Sequence, residues 1–246
     1  MMEAVEATKI YKQGQRRVQA LAGVSLRVEA GEFVAIMGPS GSGKSTLMHL
    51  LGGLDTPTSG QVFFQGQDLQ KMSDRERSLL RRNRVGFVFQ AFNLLATLTA
   101  VENVALPLML GGRPRREARE RALALLDRVG LSQRADHFPD EMSGGEMQRV
   151  AVARALVTEP EAVLCDEPTG NLDSATSKEI LSLLRELPEK DRRTVVMVTH
   201  DPQAAAYGDR VVQIRDGLIS GVGHRPGALD QPDAGCAALW PNADSR

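Results

Sequence analysis

Gly38-Pro39-Ser40-Gly41-Ser42-Gly43-Lys44-Ser45-Thr46 is the stretch whose reading decides the fold. It fits G-x-x-x-x-G-K-[ST], with Gly38, Gly43, Lys44 and Ser45 at the fixed places. An apolar, strand-like run at 32–37 leads in, and a helix-like run at 45–51 leads out. That order wraps backbone N–H groups and the positive pole of a helix around one point, where phosphate oxygens can sit. Lys44 would reach the outer phosphates and the Ser45 hydroxyl would bind Mg²⁺, with Pro39, Ser40, Gly41, Ser42 and Thr46 completing the cradle. A mere Gly/Ser turn before a lysine leaves the strand–turn–helix context unexplained. The stretch reads as a nucleotide phosphate site.

Outward from it, the chain of 246 residues has room for one large α/β domain, and 42% hydrophobic residues can bury a sizeable core. Thirty Lys+Arg against 31 Asp+Glu leave no global basic field, so nucleic acid is not an expected partner. The basic clusters at 75–84 and 113–121 read as solvated helix faces. Cys165 and Cys236 have no framework spacing, as expected of a reduced, cytosolic protein, and Cys165 reads as a small buried hydrophobe. No signal peptide and no apolar run of spanning length is expected.

Residues 2–8 and 18–28 alternate apolar and polar side chains, as half-buried antiparallel strands do. Tyr11, read as lying in a loop between them, either stacks on a nucleotide base or fills space at a strand end. A strand at 60–65, a basic helix at 74–83 and a fully apolar strand at 85–89 follow, ending at Gln90. Helical patterns at 99–110 and 115–129, with Gly130 as a stop, begin a helical subdomain inserted at about 91–157. Ser143-Gly144-Gly145-Glu146 opens the last of its helices. Ser143 and Glu146 make a capping box, and the two glycines expose a bare positive pole to an anion.

Strand-like runs return at 162–165, 194–199 and 211–214, with a helix at 174–187 between the first two. Alternating strands and helices imply a mainly parallel sheet whose carboxyl ends gather ligands, and Gln90, Asp166-Glu167 and His200 stand at such ends. Asp166 suits a metal shell, Glu167 can act as general base on an attacking water, and His200 can donate to a γ-phosphate. Residues 224–246 loosen in texture and read as a tail, with Trp240 as an anchor of unstated partner.

Taken together, the phosphate loop, Gln90, Ser143-Gly144-Gly145-Glu146-Met147-Gln148, Asp166-Glu167, Asn171-Leu172-Asp173 and His200 resemble the nucleotide-binding subunits of ABC transporters. The resemblance covers residues 1–223 in the family's order and spacing, departing from it at Met142, where leucine commonly precedes the Ser-Gly-Gly. It implies an α/β fold: a P-loop NTPase core at 1–90 and 158–223, with an antiparallel N-terminal β subdomain, plus the helical subdomain at 91–157. It implies an ATPase with ATP and Mg²⁺, working as a head-to-tail dimer in which Ser143, Gly144, Gly145 and Glu146 of one copy cover the γ-phosphate bound by the other. By the same resemblance Tyr11 stacks on adenine, Ser45, Gln90 and Asp166 hold Mg²⁺, Glu167 is the base, His200 contacts the γ-phosphate and Asp173 crosses the dimer interface.

The runs at 89–95, 98–104 and 168–173 look like one bacterial subgroup, the macrolide-exporter and lipoprotein-releasing ATPases. This implies a transmembrane permease docking near Phe92–Leu110 and a peripheral place on the cytoplasmic face of the inner membrane. A soluble ABC ATPase acting on DNA or ribosomes is the rival, disfavoured by a single domain without sustained heptads. A small-molecule kinase would leave Ser143-Gly144-Gly145 and the helical insertion unexplained.

Overall fold

The computed structural model describes residues 1–14 and 16–224. The chain opens on an antiparallel pair, β1 (Met2–Gln13) and β2 (Arg16–Val28), in register from Met2↔Val28 to Gln13↔Arg16 with three irregularities. Both strands run further than the sequence pattern suggests, and Tyr11 therefore lies within β1 rather than in a loop. Next come β3 (Phe33–Met37), α1 (Lys44–Leu51), β4 (Ser59–Phe64), the short β5 (Gln67–Asp68), α2 (Asp74–Asn83) and β6 (Val85–Phe89). The helical insertion holds α3 (Ala100–Leu110), α4 (Arg115–Arg128), two single 3₁₀ turns and α5 (Gly144–Leu156). The chain then runs through β7 (Ala162–Asp166), α6 (Ser174–Asp191), β8 (Thr194–Thr199), the four-residue α7 (Pro202–Ala205), β9 (Arg210–Arg215) and β10 (Leu218–His224). The segment read as a tail lies outside the described residues, apart from His224 at the end of β10.

Two sheets result. One is antiparallel, in the order β2-β1-β4-β5; the other has the order β10-β9-β3-β8-β7-β6. In the second, β9, β3, β8, β7 and β6 are parallel and β10 is an antiparallel edge. The parallel strands are buried on both faces, and their residues divide between two cores with period two. Val34, Ile36, Leu164, Val196 and Val198 face α1 and the antiparallel sheet. Phe33, Ala35, Val163, Cys165, Val195 and Met197 face α6 and the inner side of α5. A third core belongs to the insertion, with Val101, Val104, Ala122, Leu126 and Val150 fully buried in it. α5 joins the two bodies, because Val150 and Ala153 enter the insertion's core while Val152 and Leu156 enter that of the sheet.

The arginine-rich helices are solvated, as expected. α4 carries the ion pairs Arg113–Glu117 and Arg116–Glu120 across one turn of its surface and at its entry. Among the described residues no helix is long and apolar enough to cross a membrane.

Candidate ATP site and its composite elements

The phosphate loop is shaped by what a side chain would strike. A Cβ on Gly38 would lie 2.1 Å from the Ile214 carbonyl oxygen, and one on Gly43 would lie 2.4 Å from that of Ala20. Gly43 also has φ +105, a conformation that L side chains rarely adopt. It caps α1 without any side-chain hydrogen bond, and the first turn of α1 holds no acidic residue. The N–H groups at this helix start are therefore left for a ligand. Ser42 Oγ is buried inside the loop and has no hydrogen-bond partner among the described residues. Lys44 is buried too, its Nζ donating to the Pro39 carbonyl at 2.9 Å. Bare N–H groups, an orphaned hydroxyl and an ammonium turned into the loop fit the phosphates of a nucleotide.

β6, β7 and β8 bring the remaining polar groups to the same end of the sheet. Ser45 Oγ donates to Asp166 Oδ1 at 2.9 Å, tying the first turn of α1 to the end of β7. Phe89 pairs with Asp166 across the sheet, so Gln90 leaves β6 beside Glu167. Glu167 has φ 45, and its N–H is fixed on the Val198 carbonyl at 2.9 Å. Its Oε1 lies 3.1 Å from Nδ1 of the exposed His200. Gln90 Nε2 donates to Asn171 Oδ1 at 3.1 Å, and Asn171 Nδ2 returns a bond to the Gln90 carbonyl at 3.0 Å. A hydroxyl, a carboxylate and an amide are hard oxygen donors suited to Mg²⁺, few enough to leave places for phosphate and water. No cluster of three or more His, Cys, Asp or Glu side chains that could hold a metal occurs among the described residues.

Tyr11 is oriented by neighbours that the sequence did not disclose. Its hydroxyl donates to Asp55 Oδ2 at 3.0 Å, and Lys9 Nζ sits 5.0 Å from the ring centre while also pairing with Asp55. Burial, together with the hydrogen bond to Asp55, raises its pKa, against a lowering effect of the Thr46 side chain. Cys165 is fully buried and burial pushes its thiol up, so it packs rather than reacts.

The second helix start expected to meet an anion is that of α5. Ser143 Oγ accepts from the Glu146 N–H, and Glu146 Oε2 accepts from the Ser143 N–H at 2.8 Å, completing the expected capping box. The hydrogen bond from the Ser143 backbone, with the Ser143 hydroxyl and Arg134 beside it, holds the Glu146 carboxyl below the usual range against a smaller effect of burial. The glycine pair has a partly different cause from the one its pattern suggests. A Cβ on Gly145 would meet Thr176 Cγ2 at 2.4 Å, so packing on α6 already favours glycine there unless Thr176 shifts. Gly144 has ordinary room, with Leu172 and Phe92 nearest. No phosphate-loop residue is among these neighbours, and Ser143 is exposed. Asp173 caps α6 through the Ala175 and Thr176 N–H groups, and hydrogen bonds from Thr176 lower its pKa.

The segment expected to dock a partner is only partly open. Leu95 is 48% exposed, while Phe92 and Leu94 are half-buried and Leu94 packs on the insertion's core. The buried Asn103 braces this turn by bonding Leu95 N–H and the carbonyls of Leu95, Leu98 and Thr99.

A phosphate loop at the carboxyl edge of a parallel sheet, bonded to a strand-end aspartate and followed by a glutamate–histidine pair, defines an ATP-hydrolysing P-loop domain. The chain belongs to the ABC transporter family, whose profile matches residues 21–170. It is 50% identical over 88% of its length to the lipoprotein-releasing system ATP-binding protein LolD of Psychrobacter arcticus, covering 96% of that protein. It is also 50% identical over 89% of its length to the macrolide export ATP-binding/permease protein MacB of Chlorobaculum tepidum, of which it spans 33%. The fold matches a dimeric post-hydrolysis structure of the ATP-binding cassette MJ0796 bound to ADP and Pi, from Methanocaldococcus jannaschii. That match has TM-score 0.85 and 45% identity, covering 91% of this chain and 98% of that one. The chain is an ABC ATP-binding subunit similar to LolD and to the ATPase part of MacB, and nothing in these comparisons supports an ATPase acting on DNA or ribosomes.

Proposed function

We propose that the chain hydrolyses ATP as a head-to-tail dimer and drives a membrane permease, in export, lipoprotein release or mechanotransmission. The observation that carries this reading is the separation of two anion-seeking helix starts. The start of α1 faces the strand-end carboxylates, whereas that of α5 has Leu172 and Phe92 for neighbours and an exposed capping serine. A second copy, turned head to tail, would bring its α5 over the nucleotide held by the first. The dimeric cassette to which the fold is similar supports this arrangement.

In this reading the α1 N–H groups, Lys44 and Ser42 bind the phosphates, and Tyr11 stacks on the base. Ser45, Asp166 and Gln90 would hold Mg²⁺. Bound there, the ion would neutralise charge on the β- and γ-phosphate oxygens. Glu167, fixed by its backbone bond to Val198 and with His200 Nδ1 3.1 Å from its Oε1, takes a proton from the attacking water. The water oxygen bonds to the γ-phosphorus as the bond to the bridging oxygen breaks and ADP leaves with those electrons. His200 donates to the γ-phosphate. The exposed Ser143 hydroxyl would turn from Glu146 to donate to the partner's γ-phosphate. The permease would dock on the exposed Leu95 turn, and the chain would lie at the inner membrane through it.

Replacing Glu167 with Gln keeps the shape but removes the proton acceptor, so ATP should bind and stay. Size-exclusion chromatography with ATP and Mg²⁺ should give a dimer that retains ATP. Hydrolysis at the wild-type rate by Glu167→Gln would remove Glu167 from the role of base.

A further inference from the structure

Two consecutive residues just beyond Gln90, Phe92 and Asn93, take left-handed backbone conformations, with φ 59 and 52. Asparagine tolerates this region, whereas for a bulky phenylalanine it is an outlier that surrounding structure must hold in place. The holding group is Arg154, from the last turns of α5. Its Nη2 donates to the Phe92 carbonyl at 2.7 Å and its Nη1 donates to the Asn93 carbonyl. Among the described residues its hydrogen bonds go to these two main-chain carbonyls, and burial lowers its pKa. A half-buried guanidinium that bonds only main-chain carbonyls is spent on shaping that main chain.

The same helix touches this segment twice more. Gln148, fully buried, donates to the Pro168 carbonyl at 2.6 Å and to that of Phe89 at 3.4 Å. At the α5 start, the Phe92 ring lies 3.7 Å from the place a Gly144 Cβ would take. α5 thus lies as a splint along residues 89–93, with Ser143 at one end and the Arg154 fork at the other.

We propose that Arg154 is a positioning residue for ATP hydrolysis: by clamping the Phe92 and Asn93 carbonyls it sets where Gln90 stands relative to the metal-binding hydroxyl and carboxylate. It also ties that position to the orientation of α5, so that a displacement of the Ser143 end moves Gln90. This inference rests on the reading of Gln90 as a metal contact, and its test keeps the two apart. Full-length Gln90→Ala, Arg154→Met and Arg154→Lys chains are compared for ATP binding without metal and for the Mg²⁺ concentration giving half-maximal hydrolysis. Outer-shell residues around a metal typically change its affinity or the activity by about 10- to 100-fold. Arg154→Met should therefore raise the Mg²⁺ requirement about tenfold, in the direction of Gln90→Ala, with metal-free ATP binding within about twofold of wild type. Arg154→Lys keeps a cation but not the fork, and should lie between. If Arg154→Met does not accumulate as folded protein, Arg154→Lys carries the test and must still require more Mg²⁺ than wild type. A wild-type requirement in the Arg154 variants beside a shifted Gln90→Ala overturns the proposal alone. An unshifted Gln90→Ala overturns the assignment of Gln90, and the proposal with it.

Discussion

Gly38 and Gly41 stand three residues apart in the same loop, yet only one of them is required by space. A Cβ on Gly38 meets a main-chain oxygen at 2.1 Å, while one on Gly41 meets nothing within 4 Å and suffers only from φ +77. Gly38→Ala should therefore cost about 1–3 kcal/mol through overpacking and lose ATP binding. Gly41→Ala should cost about 1 kcal/mol of backbone strain and keep weakened binding. Thermal unfolding and ATP titration of the two variants check the order, and equal losses would mean that close contact with β9 does not shape the loop. At this scale most of the candidate site's placement was legible in the sequence, because Lys44, Ser45, Asp166, Glu167 and His200 follow strands or a glycine turn within a residue or two. What was not legible is tertiary. Asp55 beneath Tyr11 and Arg154 behind Phe92 come from distant segments, and nothing in their own neighbourhoods marks them; Asn171 stood in a quoted motif, but its pairing with Gln90 did not show in the sequence.

Elements show the same division. Strands buried on both faces and helices with capping boxes were read at or near their true bounds, including α2, β6 and β8, since period and cap chemistry are local. β10 and the tiny β5 were missed, because an edge strand with Gly221 and Gly223 and a two-residue strand have no pattern to detect. α6 runs past its expected end at Leu187, through Pro188 to Asp191, before Arg192 closes it in a left-handed conformation. For α5, the lowered Glu146 pKa makes its cap a pH-dependent contribution. Because the folded value lies below the unfolded one, this stability is present above the ordinary glutamate range and is lost as pH falls through the folded value. Glu146→Gln should lower the melting temperature at neutral pH, with a gap to wild type that shrinks on acidification. A gap that widens instead would contradict the assignment. The exposed Leu95 makes the element-scale test of docking. Leu95→Glu should leave basal ATPase activity intact while abolishing co-purification with the permease. Loss of folding would place Leu95 in the core, and retained binding would move the docking site elsewhere.

In the proposed reading the whole molecule carries half of two sites rather than one complete site. Its α1 start is equipped to bind phosphates, and its α5 start offers an exposed capping serine to a nucleotide that another copy would hold. Ser143→Arg should therefore bind ATP as tightly as wild type yet fail to hydrolyse it, whereas Lys44→Ala should lose binding itself. The central claim is that these two defects lie in different halves of one composite site, and mixing the variants tests it most directly. A mixed dimer has one site built from the intact Lys44 of one chain and the intact Ser143 of the other. Equimolar mixing gives such dimers to about half of the population, each with one intact site of two, so turnover should rise to roughly a quarter of wild type. A mixture no more active than the two separate variants would contradict the account and place Ser143 and Lys44 at work within the same chain.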